Sequence, residues 1–132
     1  MGRGVRVLHL HLHGLVRSGD LELGRDADTG GQTLYVLDLV RSLAQRPEVE
    51  RGEVVTRLVQ DRRVAADYGR PVEMIAPTAR ILRFPFGPKR YLRKEQLWPH
   101  LEDLADQLVH HLTQPGQEVD WIHAHYADAG FV

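Results

Sequence analysis

Residues 5–12 (VRVLHLHL) run into a glycine- and acid-rich loop, and that loop delivers DTGGQ at residues 28–32 to the start of a patterned helix. The first segment has β-branched residues at its start and apolar side chains on alternate positions, which is typical of a strand. A helix beginning at Gly31 would place bare backbone N–H groups at the end of that strand. Phosphate-bearing ligands bind in such crevices, so this stretch indicates both a fold and a candidate site.

The rest of the chain alternates between strand and helix patterns. Apolar spacing predicts helices over residues 31–45 and 94–113, and strands over residues 54–59, 79–84 and 119–124. Thr29 is the expected N-cap of the first helix, Pro47 follows its end, and Pro99 is expected to break the second. Residues 60–78 are polar, with Gly69, Pro71 and Pro77, and are interpreted as a loop.

This order of elements predicts an α/β fold, with a Rossmann-like parallel sheet and flanking helices. The first and last strands carry His9, His11, Asp120 and His123, so we expect both strands to be exposed to solvent at one end. Gly52 stands where the second strand is about to begin and is expected to weaken that start. The last strand runs into the beginning of another helix, so we expect the chain to be part of a larger domain.

Composition sets limits on the class of protein. The chain has 132 residues, a net charge of −1 and no cysteine, which excludes disulfides and thiolate metal sites. Neither a secretory signal nor a membrane-spanning run is present in the sequence, so we expect a cytoplasmic protein without a membrane partner. Charge is lopsided, because residues 57–94 hold ten basic and three acidic residues while residues 95–132 hold seven acids and no Lys or Arg. The basic segment favours a phosphorylated small molecule over nucleic acid, because the last third is acidic and the net charge is near zero.

Two histidines follow strands at the edge where ligands bind. His13 precedes Gly14 after the first strand, and His125 follows the last strand. An imidazole can donate or accept a hydrogen bond near neutral pH, which suits sugar hydroxyls. Gly30 and Gly31 would let a phosphate or sugar approach the helix N-terminus.

Two further groups of residues are candidates for binding. His9, His11 and His13 alternate along one strand face and could bind zinc with a fourth ligand, but the chain offers no cysteine and we expect no metal site. Lys89, Arg90 and Lys94 lie around one strand end and helix start, and such side chains grip phosphate monoesters.

Three blocks of sequence follow one another along the chain: HGLVR at residues 13–17 leading to LELGRDADTGGQ at residues 21–32, FPFGPKRYLRKEQLWPH at residues 84–100, and IHAHYADAG at residues 122–130. In this order, the blocks resemble the sucrose-phosphate synthases. The DTGGQ core is also shared with sucrose synthase, whereas the LELGRD and FGPK segments are more similar to the phosphate-using enzyme. With the linking elements, these blocks cover nearly the whole chain.

The resemblance implies a retaining glycosyltransferase of the GT-B type, with two Rossmann-like domains facing a cleft. Residues 1–132 would form part of its N-terminal, acceptor-binding domain, and the C-terminal UDP-glucose domain would be absent. The implied reaction transfers glucose from UDP-glucose to fructose 6-phosphate, giving sucrose 6-phosphate and UDP, and we expect this chain alone to be inactive. No tightly bound cofactor is implied, and stimulation by Mg²⁺ is left open.

The same resemblance assigns roles to individual residues. Gly30 and Gly31 would lie by the donor diphosphate, and His125 would hydrogen-bond the sugar at the reaction centre. The acceptor would be bound by Gln32 and by a basic side chain drawn from Lys89, Arg90 and Lys94. His13 and Asp128 are further residues of the cleft.

Two alternatives remain open. One is a sucrose synthase that uses unphosphorylated fructose, and the other is a non-catalytic sugar-phosphate-binding module. We also expect residues 14–28 to be mobile without ligand, because the loop is long and rich in glycine and acids.

Overall fold

The computed structural model describes residues 3–22 and 28–132, and within them it forms one mixed sheet with helices on both faces. The sheet has five strands in the order β3-β4-β2-β1-β5, and all neighbouring pairs are parallel except β3 with β4. The strands are β1 (Val5–Leu10), β2 (Val49–Arg57), β3 (Val72–Ala76), β4 (Ala79–Phe84) and β5 (Trp121–Ala124). The predicted α/β fold is therefore confirmed.

Four α-helices accompany the sheet within the described residues: α1 (Gly31–Ala44), α2 (Lys94–Leu97), α3 (Leu101–Leu112) and α4 (Tyr126–Gly130). A short 3₁₀ turn, Trp98–His100, separates α2 from α3, with a proline at its start. Proline has no N–H to donate to the preceding turn, so the expected break at Pro99 is confirmed.

The alternation of β1 divides the core into two layers. Leu8, Leu10 and Leu12 point to one face and pack with α3 residues such as Leu104 and Leu108. On the other face, Val36, Leu37 and Val40 of α1 pack with Val54 of β2 and Ile81 of β4. Because helices cover both faces, most residues of the three middle strands are buried, as expected for a parallel sheet, although β1 and β2 are partly exposed at their N-terminal ends.

The interpretation of residues 60–78 as a loop is wrong. A 3₁₀ turn occupies Ala66–Gly69, and β3 pairs antiparallel with β4 at the edge of the sheet. Val72 and Met74 on β3 are 49% and 55% exposed, so β3 lacks the buried, apolar pattern of the other strands. The sheet is therefore mixed at this edge rather than parallel throughout.

Thr29 is not the N-cap of α1, which corrects the sequence prediction. The N-cap is Gly30, and no side chain caps this helix. The hydroxyl of Thr29 instead accepts a hydrogen bond from the backbone N–H of Leu15 at 3.0 Å. The residue next to the helix thus fastens the preceding loop, and the first N–H groups of α1 have no side-chain cap.

Some strand boundaries differ from the predicted ones. β1 ends at Leu10, β5 begins at Trp121, and β2 begins at Val49, before Gly52. Gly52 therefore lies inside β2, paired with Val7 and Ala79, and does not weaken its start.

The prediction that the histidine-bearing end of the first strand is exposed to solvent is also wrong. His9 on β1 and His11 just after its end are 1% and 0% exposed, although every residue of β5 is exposed. Within residues 3–22 and 28–132, no helix is long and apolar enough to cross a lipid bilayer.

Candidate functional site

A cavity of about 460 Å³ opens beyond the carboxyl end of β1, where the N-termini of α1 and α2 meet. This is the edge of a Rossmann-like sheet at which ligands bind. The cavity is lined by His13, Asp28, Gly30, Gly31, Gln32, Lys94 and Tyr126. Five of the residues predicted for the site, His13, Gly30, Gly31, Gln32 and Lys94, are therefore brought together by the fold.

The two glycines expose the N-terminus of α1 to this cavity. A Cβ added at Gly30 or Gly31 would meet no atom within 4 Å, so packing does not require glycine at either position. Bare backbone N–H groups and the positive end of the helix dipole form an anion-binding surface. Glycine here keeps that surface open to a ligand.

Gly14 is required by the backbone itself. Its φ is +78°, and a Cβ at this position would lie 2.5 Å from the carbonyl oxygen of Asp28. The chain leaving β1 therefore passes directly against the chain entering α1. This close approach holds the DTGGQ segment at the strand end.

Asp28 links the two helix N-termini and was missed by the sequence prediction. It is 8% exposed, and its carboxylate accepts a hydrogen bond from the backbone N–H of Lys94 at 2.7 Å. Lys94 is thereby fixed at the start of α2, next to the cavity that it lines. An acid among several in a glycine-rich loop gives no local sign of this partner, which lies 66 positions away.

Lys89 and Arg90 are exposed and lie outside the residues that line the cavity. Their backbone carbonyls are fixed, because that of Lys89 accepts from the N–H of Gln60 at 2.7 Å and that of Arg90 accepts from Arg57 at 2.6 Å. Among the three basic candidates, the fold favours Lys94 as the side chain nearest a bound anion.

His13 and Asp128 form a buried pair beside the cavity. The Nδ1 atom of His13 lies 3.0 Å from Asp128 Oδ2, and their side chains are each 4% exposed. Burial opposes charge on both groups, but the hydrogen bond and mutual attraction outweigh it, so the pKa of His13 is raised and that of Asp128 is lowered. The pair is therefore an ion pair at mildly acidic pH.

His125 lies next to the cavity rather than among its lining residues. Its Nε2 atom is 3.1 Å from Nδ1 of His9, and its ring is 6.3 Å from that of Tyr35. Burial, together with the nearby His123, lowers the pKa of His125 to about 4. His125 is therefore neutral near pH 7, able to share a hydrogen bond but not to supply a charge.

Comparison with known families identifies the domain. Residues 3–132 match the family model described as "Sucrose synthase first GT-B domain". The chain belongs to this family. As a first GT-B domain, it is expected to place its ligand edge at the cavity described above.

The relatives of this GT-B domain are named as sucrose-phosphate synthases. Sucrose-phosphate synthase 1 of Arabidopsis thaliana is 40% identical over 156 aligned residues, covering 98% of this chain. Probable sucrose-phosphate synthase 2 of the same plant is 41% identical over 151 residues, covering 94% of this chain. The chain spans only 15% and 14% of the length of these two relatives.

A solved structure shows the same GT-B fold. Sucrose-phosphate synthase from Thermosynechococcus elongatus superposes with a TM-score of 0.75 at 23% sequence identity, covering 96% of this chain and 28% of that chain. The resemblance to sucrose-phosphate synthases and the predicted fold are thus confirmed.

Tyr126 is a second site residue of this GT-B domain that sequence reasoning missed. It lines the cavity, and its ring meets that of His13 edge-on at 4.8 Å. Its φ of +73° is unusual for a residue with a side chain and marks a backbone held by its surroundings. The IHAHYADAG block contains Tyr126, but no periodic pattern distinguishes its conformation.

The three alternating histidines of β1 and the following turn do not form a shared site. His11 contacts the hydroxyl of Thr33 at 3.3 Å, whereas His13 bonds to Asp128. His9 turns to His125 instead. The loop after them was expected to be mobile over residues 14–28, which stays a prediction; its residues 23–27 lie outside the described residues.

Asp128→Asn is expected to remove the pH dependence that the His13–Asp128 pair gives to folding. The raised pKa of His13 adds stability that is full below its ordinary value of about 6.5 and is lost as pH rises through the raised value. The lowered pKa of Asp128 adds stability that is full above about 3.9 and is lost as pH falls. At pH 6 the substitution should cost about 1–3 kcal/mol in the free energy of unfolding, measured by urea denaturation.

The control for this pair is Asp106→Asn, which removes an exposed carboxylate on α3. It should leave the pH profile unchanged. Titration of His13 by NMR should show its pKa falling in the Asp128 variant, because burial then dominates. An unchanged pKa of His13 would show that Asp128 does not stabilise the protonated form of His13.

Proposed function

We propose that this domain forms the acceptor-binding half of a retaining glycosyltransferase of the sucrose-phosphate synthase type. The reaction transfers glucose from UDP-glucose to fructose 6-phosphate and yields sucrose 6-phosphate and UDP. UDP-glucose is a substrate held chiefly by a second, C-terminal domain of the same enzyme. The 132-residue chain therefore binds its acceptor but does not catalyse transfer by itself. A cytoplasmic location belongs to the same proposal.

One observation carries the proposal: the N-terminus of α1, with Gly30 and Gly31, opens into a cavity that Lys94 also lines. A helix N-terminus and an ammonium group favour a dianionic phosphate. Gln32 and neutral or charged imidazole at His13 supply hydrogen bonds that suit sugar hydroxyls. Gly30 and Gly31 leave room for the donor diphosphate at the same helix end.

The proposed chemistry depends on orientation and electrostatics. The resemblance implies that a phosphate oxygen of the donor helps to take the proton of the attacking hydroxyl, so a pair of carboxylates is not required of this domain. His125 would contact the sugar at the reaction centre as a neutral hydrogen-bonding group, consistent with its lowered pKa. Fixing both substrates in a cleft can supply much of the rate enhancement. No tightly bound cofactor is needed in this scheme.

A sucrose synthase that uses free fructose is the second candidate. The name of the matching family model favours it, since that model describes the first domain of sucrose synthase. A non-catalytic sugar-phosphate-binding module would use the same cavity without a second domain. A preference for fructose 6-phosphate over fructose would separate the proposed function from that of a sucrose synthase. Transfer activity of the longer enzyme would separate it from a non-catalytic binding module.

Calorimetric titration of the chain should show saturable binding of fructose 6-phosphate and much weaker binding of fructose. Lys94→Glu should weaken the binding of fructose 6-phosphate by about 10- to 100-fold, because a charge-assisted hydrogen bond becomes a repulsion. Lys89→Glu should have a smaller effect, since Lys89 lies outside the cavity lining.

Arg46→Glu is the matched control, because it reverses the same charge at an exposed arginine just after the opposite end of α1. It should leave the affinity within about twofold of the unaltered chain, as expected for a screened surface charge. Equal binding of fructose and fructose 6-phosphate would support the sucrose synthase alternative. Equal losses in Lys94→Glu and Arg46→Glu would remove Lys94 from the phosphate site.

A further inference from the structure

Three histidines from two neighbouring strands converge beside the cavity. The parallel pairing of β1 with β5 places His9 directly opposite His123. His125 follows β5, and its backbone N–H donates to the carbonyl of Leu10 at 2.9 Å, which continues the register by one step. His9, His123 and His125, called here the β1–β5 histidine cluster, each offer a ring nitrogen, and these nitrogens lie within 4.8 Å of one another.

The rings of this cluster are close but incompletely satisfied. His9 is 1% exposed, and its Nε2 atom has no hydrogen-bond partner among the residues that the structure describes. The rings of His123 and His125 stack with centroids 3.9 Å apart, and that of His9 lies 5.5 Å from His123 and 5.3 Å from His125. The other nitrogen of His9, Nδ1, faces Nε2 of His125 at 3.1 Å, and this is the pair of nitrogens that could share a metal.

We propose that the β1–β5 histidine cluster is a binding site for a divalent transition metal of the class that prefers imidazole, such as Zn²⁺. Three nitrogen ligands and one open position form a common tetrahedral arrangement. Tetrahedral Zn–N bonds of about 2.0–2.1 Å separate the nitrogens by about 3.3 Å. The His9–His125 contact of 3.1 Å already has this spacing, and rotation of the exposed His123 ring brings in the third ligand.

The donor set determines which metals fit. All three donors are imidazoles, and imidazole suits Zn²⁺, Co²⁺, Ni²⁺ and Cu²⁺, whereas Mg²⁺ and Ca²⁺ require oxygen ligands. In the metal-free pair, one ring N–H of His9 or His125 occupies the space between the two nitrogens. When the metal binds there, that ring carries its one proton on its other nitrogen and stays neutral, as imidazole ligands of zinc do. Solvent access is on the side of His123, where β5 is exposed.

The site has a consequence for the sugar-binding cavity. A metal held by the cluster occupies the nitrogen that His125 shares with His9, so His125 can no longer turn that nitrogen toward a sugar. The metal therefore blocks the role proposed for His125 rather than assisting it. This consequence rests on the proposed function, whereas the metal site itself does not.

The metal site is tested on the 132-residue chain, made without a histidine tag and freed of metal by chelation. Calorimetric titration with Zn²⁺ should give one site per chain, and Co²⁺ should give the visible absorption of tetrahedral coordination. His123→Asn should weaken Zn²⁺ binding at least about 100-fold, because losing a direct ligand exceeds the 10- to 100-fold typical of outer-shell losses. His9→Leu should do the same, with the fold of each variant checked by circular dichroism.

His110→Asn is the matched control, because His110 is an exposed histidine on α3, outside the cluster. It should bind Zn²⁺ like the unaltered chain. An unchanged affinity in the folded His123→Asn variant, or an equal loss in His110→Asn, would overturn the proposal. Fructose 6-phosphate is titrated separately in the absence of metal, so failure of the proposed function is seen apart from failure of the metal site.

Discussion

Gly14→Ala is expected to lower the free energy of unfolding by about 3 kcal/mol or more. Part of this cost is conformational, because φ at Gly14 is +78° and left-handed backbone costs an L-residue about 1–2 kcal/mol. The larger part is steric, since the new Cβ would lie 2.5 Å from the carbonyl oxygen of Asp28. That neighbour is backbone and cannot rotate away, so residues 28–31 must move. Urea denaturation of the variant measures the loss.

Gly116→Ala is the matched control, because it has nearly the same φ, +81°, and no atom within 4 Å of the added Cβ. It should show the conformational cost alone, about 1–2 kcal/mol. Gly31→Ala should leave stability unchanged or slightly higher, since its Cβ is unobstructed, while weakening ligand binding at α1. Equal losses for Gly14→Ala and Gly116→Ala would show that the loop accommodates the methyl group.

The sequence predicted those elements whose signal is local. β4 was placed correctly at residues 79–84, because β-branched and apolar residues are bounded there by a proline break. α1 was predicted within one residue at its C-terminus from helical apolar spacing. β3 was missed because it is an edge strand flanked by Pro71 and Pro77, with exposed Val72 and Met74. Its pairing with β4, not its own pattern, makes it a strand.

In the candidate site, too, the sequence predicted the residues whose signal is local and missed those placed by distant partners. Residues within DTGGQ are adjacent in sequence, so their placement at one strand end could be anticipated. Asp28 and Tyr126 gain their positions from partners far along the chain, which periodicity does not reveal. The burial of His9 likewise depends on His125, 116 positions away, and polarity alone suggested an exposed strand.

Arg83→Met is expected to cost about 3–5 kcal/mol in the free energy of unfolding. The Arg83 side chain is 0% exposed and donates hydrogen bonds to the carbonyl of Val16 at 2.7 Å and to Glu73 at 2.7 Å. A third bond reaches the carbonyl of Arg70 at 3.1 Å. Arg83, on β4, therefore links the loop after β1 to β3 and to the residue before it, Arg70. Methionine fills a similar volume but leaves these acceptors unpaired.

The pH dependence separates the loss of this ion pair from a general packing defect. Burial alone raises the pKa of Glu73, but hydrogen bonds from Ser18 and Arg83 outweigh it and lower the pKa. The lowered value adds stability that is full above about 4.3 and is lost as pH falls through it. In Arg83→Met, Glu73 loses a hydrogen bond that lowers its pKa, so burial brings that pKa back up. The fall in urea midpoint between about pH 5 and pH 3 should therefore become shallower.

Arg46→Met provides the reference for removing an exposed arginine and should change stability by less than about 0.5 kcal/mol. Arg83→Lys should recover only part of the loss, because one ammonium group cannot reach acceptors on three segments. A small loss in Arg83→Met with an unaltered acid profile would mean that Gly14 and Thr29 hold the loop without Arg83. A large loss of unfolding free energy, together with a shallower acid dependence of the urea midpoint, would show that the Arg83–Glu73 pair holds the loop after β1 in place.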